Sequence, residues 1–569
     1  MIFFDQLVQA TSNIYSMFKI KTGYLLFISL IVLITNGQAQ SKIFTRADTL
    51  RGTLSPLRSS YDINYYHLDI KLDIDKKMIS GSNLFRFTAV QDLNRLQFDL
   101  FDNLNIEKVI YKEREIPFSR EFNAVFIDFP ESIKKGSKEE FRVYYNGIPT
   151  IAINPPWDGG FTFSSDQNGK PWVSVSCQGF GASSWWPNKD HQSDEVDSML
   201  ISIAVPKGLM NVSNGRLRSA KDLGDGYTQF NWFVSYPINN YNVSLNVADY
   251  VHFDDKYQGE NGNLTLDYYV LRENLEKAKK QFSANVKPMF AVFENWFGPY
   301  PFYRDGYKLI ETPYLGMEHQ SAIAYGNKYL NGYRGRDLSG TGLGLKWDYI
   351  IIHETGHEWF GNNITAKDIA DMWIHEAFTM YSEALYVESR DGKAAGSKYI
   401  AGIRSNIMNY KPIIGTYNVN QEGSGDMYYK GANLIHMTRI LLDDDKKWRE
   451  LLRGINKEFG LKTTTTEEIV NYINKVTGKN LTKIFDQYLR YAQIPVLEYK
   501  LEGNQLSYRW QAEVADFDMP IRIKRGNKME WIKPETEWKK IKMNTAFNPD
   551  TLNFYIRLKQ IDAGISQSE

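Results

Sequence analysis

His353 and His357 stand four residues apart in the run Ile350-Ile351-Ile352-His353-Glu354-Thr355-Gly356-His357-Glu358-Trp359-Phe360. On a helix that spacing sends both imidazoles off one face, a turn apart, so the two rings can close on one metal ion. Glu354 projects about 100° round from His353, near enough to take a proton from water at the metal without ligating it. A His-Glu-x-x-His set is a zinc-binding pattern whose glutamate serves as general base. An open zinc site needs a third protein ligand, and Glu376 supplies it after an interval of 18 residues. Two neutral imidazoles and one carboxylate leave one Zn2+ per chain with a net charge of about +1. Such an ion acidifies water and polarises a carbonyl, which is the chemistry of metal-assisted hydrolysis. Glu383 follows Glu376 by seven residues, hence on the same helical face. There it can hold the second ring nitrogen of a ligand histidine, fixing its tautomer.

A solvated helix face would not be built this way. The motif is flanked by Ile350, Ile351, Ile352, Trp359 and Phe360, and five of the eight histidines fall between His319 and His436. Three segments then stand together: residues 353–362, residues 373–378 (Trp-Ile-His-Glu-Ala-Phe) and residues 428–432 (Tyr-Tyr-Lys-Gly-Ala). As a set they resemble the aminopeptidase N and leukotriene hydrolase family of zinc metallopeptidases (gluzincins), and the likeness runs from about Tyr61 to about Val496.

The resemblance implies further roles. Tyr428 matches the family's catalytic tyrosine, a donor to the tetrahedral oxyanion, while Tyr429 is out of register. Gly316, Met317 and Glu318 match the strand that pairs with substrate, its glutamate holding the free α-amine. Leu315 replaces that strand's usual first glycine and His319 its usual asparagine. Gln178 matches a glutamine that touches the substrate's amino end.

The elements that must position these residues form an α+β multidomain chain. Leu68, Ile70, Leu72 and Ile74 alternate along one strand, and residues 84–87, 141–145 and 199–205 repeat the pattern. An N-terminal β domain is expected over 41–260, saddle-shaped by the resemblance. A thermolysin-like peptidase domain is expected over 261–492, with a helix over 273–297 that Pro288 should kink or split. Thr465 and Glu468 read as a capping box. Over 493–569 a short C-terminal β domain opens with a hairpin turning at Gly503-Asn504.

Lysine plus arginine and aspartate plus glutamate number 67 each in 569 residues, so no bulk charge points to nucleic acid or an anionic membrane. The run 332–344 is glycine-rich but lacks a phosphate-binding spacing. Residues 1–40 read as a signal peptide, with Met17 an alternative start: a basic stretch (17–21), an apolar run of about 11 residues and small residues at 37–39, the rival reading being an uncleaved membrane anchor. The lone Cys177 permits no internal disulfide. An exported, periplasmic or secreted bacterial protein is expected, with no integral membrane segment once mature. The expected function is a zinc aminopeptidase acting on peptides with a free N-terminus. The alternatives are an endopeptidase or lipid-epoxide hydrolase of the same fold, or a catalytically silent peptide-binding protein.

Overall fold

The computed structural model describes residues 43–544 and 546–561. The expected export segment over 1–40 therefore lies outside the described residues. Among these, no helix is long and apolar enough to cross a membrane. From Thr45 onward the chain belongs to one compact unit. It opens on a short helix, α1 (Arg46–Gly52), whose capping box joins Thr45 and Asp48.

The first strand, β1 (Tyr61–Asp73), pairs antiparallel with β2 (Met78–Ala89), which in turn pairs with β3 (Lys138–Gly147). The alternation read from the sequence is what buries it: Leu68, Ile70 and Leu72 are at most 2% exposed. A shorter strand, β4 (Pro171–Ser176), lies in a separate four-stranded sheet and leads directly into Cys177 and Gln178. Strand β5 (Ser198–Pro206) returns to pair parallel with β1, so β1 lies in the interior of an eight-stranded sheet.

The next sheet has five strands: β6 (Tyr250–Gly259), β7 (Gly262–Leu271), β8 (Tyr307–Glu311), β9 (Gly316–Met317) and β10 (Ile323–Tyr325). Their order is β6, β7, β8, β10, β9, which leaves the two-residue β9 at an edge. The expected boundary at residue 260 falls in the turn of the β6–β7 hairpin, which is paired over its full length. Strand β6 thus belongs with the sheet that carries β9. Period-2 alternation runs unchanged across the junction, so the sequence holds no signal for it.

Helix α2 (Leu275–Phe297) buries Phe282, Val286, Met289, Phe290 and Phe293, as the spacing predicts. Pro288 does not split it; the 23 residues form one helix. Pro288 and Ala284, whose carbonyl the proline leaves without an N–H partner, both lie on the exposed face, where water can serve that carbonyl. Four helices follow that matter for the site: α3 (Tyr349–Gly356), α4 (Trp373–Asp391), α5 (Asp426–Leu442) and α6 (Thr466–Thr477). The predicted capping box of Thr465 and Glu468 opens α6. After α7 (Thr482–Arg490), strands β11 (Val496–Glu502) and β12 (Gln505–Gln511) form the expected hairpin. Leu497, Trp510, Ile521 and Phe554 join the same core as α2 to α7. The C-terminal strands therefore share a core with the helices.

Leu68 sits between two neighbouring strands at 0% exposure. Leu68→Ala leaves a cavity there and should cost about 2–5 kcal/mol, seen as a lower urea midpoint with an unchanged slope.

Candidate active site

Helix α3 starts on Asp348, whose carboxylate accepts from the amides of Ile350 and Ile351. All eight of its residues are buried. His353 lies within it and His357 caps it in helical conformation, so both imidazoles leave one face. The chain then makes a wide turn over Glu358–Asn362, in which Phe360 and Gly361 leave helical geometry. Gly361 has φ 134°, and a Cβ there would lie 3.2 Å from His357 Nδ1. Glycine alone satisfies both demands. The turn brings the Phe360 carbonyl back to His357 Nδ1 at 3.0 Å, which sets the tautomer and leaves Nε2 free to bind.

Helix α4 supplies the opposing groups. Glu376 stands in its first turn, with Oε2 3.4 Å from His357 Nε2 and 3.8 Å from His353 Nε2. Glu383, two turns on, accepts at 2.7 Å from His353 Nδ1 and at 2.6 Å from the Tyr399 hydroxyl. Ligand atoms of His353, His357 and Glu376 all lie within 4.8 Å of one another. Glu376 Oε2 is buried and makes no hydrogen bond among the described residues. Tetrahedral donors about 2.1 Å from zinc lie about 3.4 Å apart, and the observed separations agree with that. Burial alone would raise the Glu376 carboxyl, but His357 and His353 outweigh it and hold it well below the usual range. The donor set fits a divalent cation.

Glu354 lies beside these groups, 8% exposed. Burial pushes its carboxyl up to about 7, against the pull of His353 and His357. Oxygen atoms of Glu354 and Glu318 and a ring nitrogen of His357 also lie within 4.8 Å of one another. Gly316 is pressed against this carboxylate: a Cβ on it would stand 2.9 Å from Glu354 Oε1. Met317, next on the edge strand β9, is 7% exposed. Glu318 is buried, and its Oε1 accepts from Gln178 Nε2 at 2.5 Å and from the Tyr241 hydroxyl at 3.0 Å. Gln178 is thus brought to Glu318 across 140 positions. His319 is fully buried with no partner on either ring nitrogen among the described residues, and burial lowers its pKa to about 3, so it is neutral.

Tyr428, in the first turn of α5, stacks on His353 with ring centroids 6.1 Å apart. Burial, then the carboxylates of Glu376, Glu422, Glu318 and Glu354, hold its phenol far above the usual value. It stays protonated and can donate. Tyr429 is pushed to about 12 by burial, then by Glu383 and Tyr333. Lys430 Nζ donates at 2.8 Å to the carbonyls of Tyr491 and Ala492, just beyond α7, and Gly431 allows α5 to close on Ala377. Those two members of the 428–432 segment are structural. Cys177 is buried, and burial pushes its thiol up, so it is a core residue.

Sequence reading missed Tyr241, Asn362, Thr365 and Glu195. Asn362 Nδ2 donates to the Glu318 carbonyl at 2.8 Å and its Oδ1 accepts from Asn242 Nδ2 at 2.6 Å. It lies in the wide turn after His357, the one signal that was available. Thr365 Oγ1 lies 2.6 Å from the Gly361 carbonyl and 2.5 Å from Glu195 Oε1. A hydroxyl has one hydrogen. Thr365 therefore donates to Gly361, and Glu195 donates to Thr365 as a carboxylic acid. Burial raises Glu195 to about 7, which agrees. This chain of two bonds braces the turn that orients His357.

A carboxyl whose folded pKa is raised above its unfolded value of about 4.3 stabilises the fold below that value. The contribution is lost as pH rises through about 7. Glu195→Gln keeps a donor toward Thr365 and does not ionise. Its melting temperature should match wild type within about a degree at pH 5 and exceed it by a few degrees at pH 8.

With this geometry in place, the model of the peptidase family M1 domain matches residues 282–488, and that of the peptidase M1 N-terminal domain matches residues 62–241. Leukotriene A-4 hydrolase of Xenopus laevis is 24% identical over 438 residues, covering 72% of this chain and 67% of that protein. Glutamyl aminopeptidase of Sus scrofa is 24% identical over 315 residues, covering 52% of this chain but only 32% of that protein. The chain thus spans about a third of the length of that relative. A zinc metallopeptidase of family M1 from Deinococcus radiodurans, a variant solved with a Tyr-Ser-Ala substrate, superimposes with a TM-score of 0.64 at 18% identity. That likeness is one of fold, and it covers 78% of this chain and 98% of that one. The two family models take in both the β-rich region and the helices that carry His353, His357 and Glu376, and the chain belongs to peptidase family M1, a family of peptide hydrolases.

Proposed function

We propose that this chain is a zinc aminopeptidase that removes N-terminal residues from peptides by attack of water on the first peptide bond. Glu354 carries the reading. It is a buried carboxylate beside both ligand histidines, and it has no hydrogen-bond donor among the described residues. Burying a carboxylate in that way costs free energy. A silent binding module gains nothing from it, whereas a general base needs an unencumbered oxygen.

On this reading His353, His357 and Glu376 hold the zinc. When bound, the ion supplies Lewis-acid polarisation of the scissile carbonyl and acidifies water. Glu354 accepts a proton from the attacking water and passes it to the amine nitrogen as the C–N bond breaks. Tyr428 donates to the oxyanion, a bond that strengthens as charge develops there. The edge strand at Gly316 and Met317 pairs with the extended substrate backbone. Glu318, held by Gln178 and Tyr241, takes the α-ammonium through a charge-assisted hydrogen bond. Glu383 orients His353. The tripeptide seen in the Deinococcus structure supports a short peptide as substrate. The basic, apolar and small-residue pattern of residues 17–39 supports export to a periplasm or the exterior.

Alanine at His353, His357 or Glu376 should abolish stoichiometric zinc, whereas Glu354→Gln should retain the metal and lose turnover by at least about a thousandfold. Metal analysis of purified variants beside a fluorogenic amino-acid amide assay separates the two outcomes. Tyr428→Phe should lower kcat about a hundredfold or more with little change in KM. An unchanged kcat moves that role elsewhere.

Exopeptidase character rests on Glu318. An N-acetylated amide should be cleaved at least about a hundredfold more slowly than the free amine, roughly 2.7 kcal/mol in transition-state binding. Glu318→Ala should cost the free-amine substrate a similar factor and the acetylated one much less. Equal kcat/KM for the two wild-type substrates favours the endopeptidase alternative instead.

A further inference from the structure

The turn that carries Gln178 is held from outside by the segment that precedes β1. Within the turn, the amide of Phe180 donates to the Gln178 carbonyl and that of Gly181 to the Cys177 carbonyl, each at 2.7 Å. Its two outward carbonyls are met from elsewhere. Arg51, in the last turn of α1, donates through Nη2 to the carbonyl of Phe180 and, at 3.4 Å, to that of Gly179. Asn420 Nδ2 donates to the same Gly179 carbonyl at 3.1 Å. Gly181, at φ 107°, lets the guanidinium approach: a Cβ there would lie 2.2 Å from Arg51 Nη2.

The arginine is itself fixed. Gly52 packs so closely on the 419–420 backbone that a Cβ would stand 2.2 Å from the Asn420 nitrogen. Thr53 Oγ1 donates to the Asn418 carbonyl at 3.0 Å. Beneath them Arg58, fully buried, pairs with Asp99 at 2.5 Å and donates to the carbonyls of Arg51 and Thr53 at the end of α1. Cations are favoured at a helix C-terminus. Segment 46–58 thus bridges the Gln178 turn and the loop that leads into α5.

We propose that Arg51 is a positioning residue for recognition of the substrate's amino terminus: it fixes the 177–181 turn so that Gln178 stays hydrogen-bonded to Glu318. Segment 46–53 is thereby the outer wall of the cleft's amino end. This rests on the reading of Glu318 as the amine anchor. One guanidinium nitrogen, Nη2, reaches both adjacent carbonyls, and the planar group holds its N–H directions fixed where a flexible ammonium does not. Without it the Gly179 and Phe180 carbonyls turn toward water and Gln178 turns with them. Glu318 then keeps Tyr241 as its remaining side-chain donor.

Steady-state kinetics on a free-amine amino-acid amide and its N-acetyl counterpart, with amide hydrogen exchange, test this in wild type, Arg51→Ala and Arg51→Lys. Arg51→Ala should raise KM for the free amine about tenfold and leave kcat within about twofold. Exchange at Phe180 and Gly181 should accelerate, while amides of α3 stay protected. Arg51→Lys keeps the charge and N–H donors on a single flexible nitrogen but not the planar geometry, and should recover only part of the loss in KM. If Arg51→Ala does not fold, Asn420→Ala releases the same turn from its other side, and a rise in KM of about threefold is expected. An Arg51→Ala enzyme with wild-type KM, or with unchanged exchange over 178–181, overturns the proposal, as does an Asn420→Ala enzyme with wild-type KM where that variant must serve. A wild type without preference for the free amine overturns the amine-anchor reading, and the role of Arg51 with it. A preference that persists in full in Arg51→Ala overturns the role of Arg51 alone.

Discussion

Four carboxylates, Glu318, Glu354, Glu376 and Glu383, are buried around two imidazoles, and the site's architecture answers to that charge. An ionised carboxylate is not left inside a protein without donors or a counter-charge. Glu383 has His353 and Tyr399, and Glu318 has Gln178 and Tyr241. Glu376 Oε2 has no donor at hydrogen-bond distance and Glu354 has none at all among the described residues. The two without protein donors are those that face the convergence of His353 and His357. A cation at that point compensates both, which is the physical content of the ligand set. The surrounding shell of Trp359, Phe360, Trp373 and Phe378 is fully buried or nearly so. It lowers the local dielectric and so strengthens every electrostatic contact in the site.

Holding that arrangement requires rigidity at the end of a short helix. Helix α3 is only eight residues long and stops at His357, where helical hydrogen bonds no longer constrain the ring. Three contacts take over: the Phe360 carbonyl on His357 Nδ1, the Thr365 hydroxyl on the Gly361 carbonyl, and Asn362 tying the turn to Glu318 and Asn242. The last joins the turn after His357 to Glu318 and Asn242. A shift at His357 is therefore felt at Glu318, and the converse holds. On the proposed reading, zinc and the amine anchor are kept in fixed register by Asn362.

Much of the site was legible because its spacing is local. The four-residue interval of His353 and His357 and the seven-residue interval of Glu376 and Glu383 are multiples of a helical repeat, and helices formed at both places. The alternation in β1 and the capping box of α6 were legible for the same reason. Gln178, Glu318 and Tyr428 were not legible from spacing; only resemblance picked them out among many glutamines, glutamates and tyrosines. Pro288 does not split its helix because an exposed position tolerates an unpaired carbonyl, and exposure is not a property of the residue alone. The boundary near residue 260 misled because strands on either side share one period.

What the sequence by itself determined is a set of short-range geometries: which residues share a helical face, which strand face is apolar, and which side chains have a ligand's chemistry. Hydrogen bonds within a few residues and the hydrophobic period enforce these whatever the rest of the chain does. Only the tertiary structure decided that Tyr241, Gln178 and Glu318 meet, that Glu195 is a proton donor to Thr365, and that Arg51 grips the Gln178 turn. Those contacts join segments from 77 to 170 positions apart. They exist because two packed cores bring the segments together, and side chains selected by a meeting of that kind leave no periodic trace in the chain.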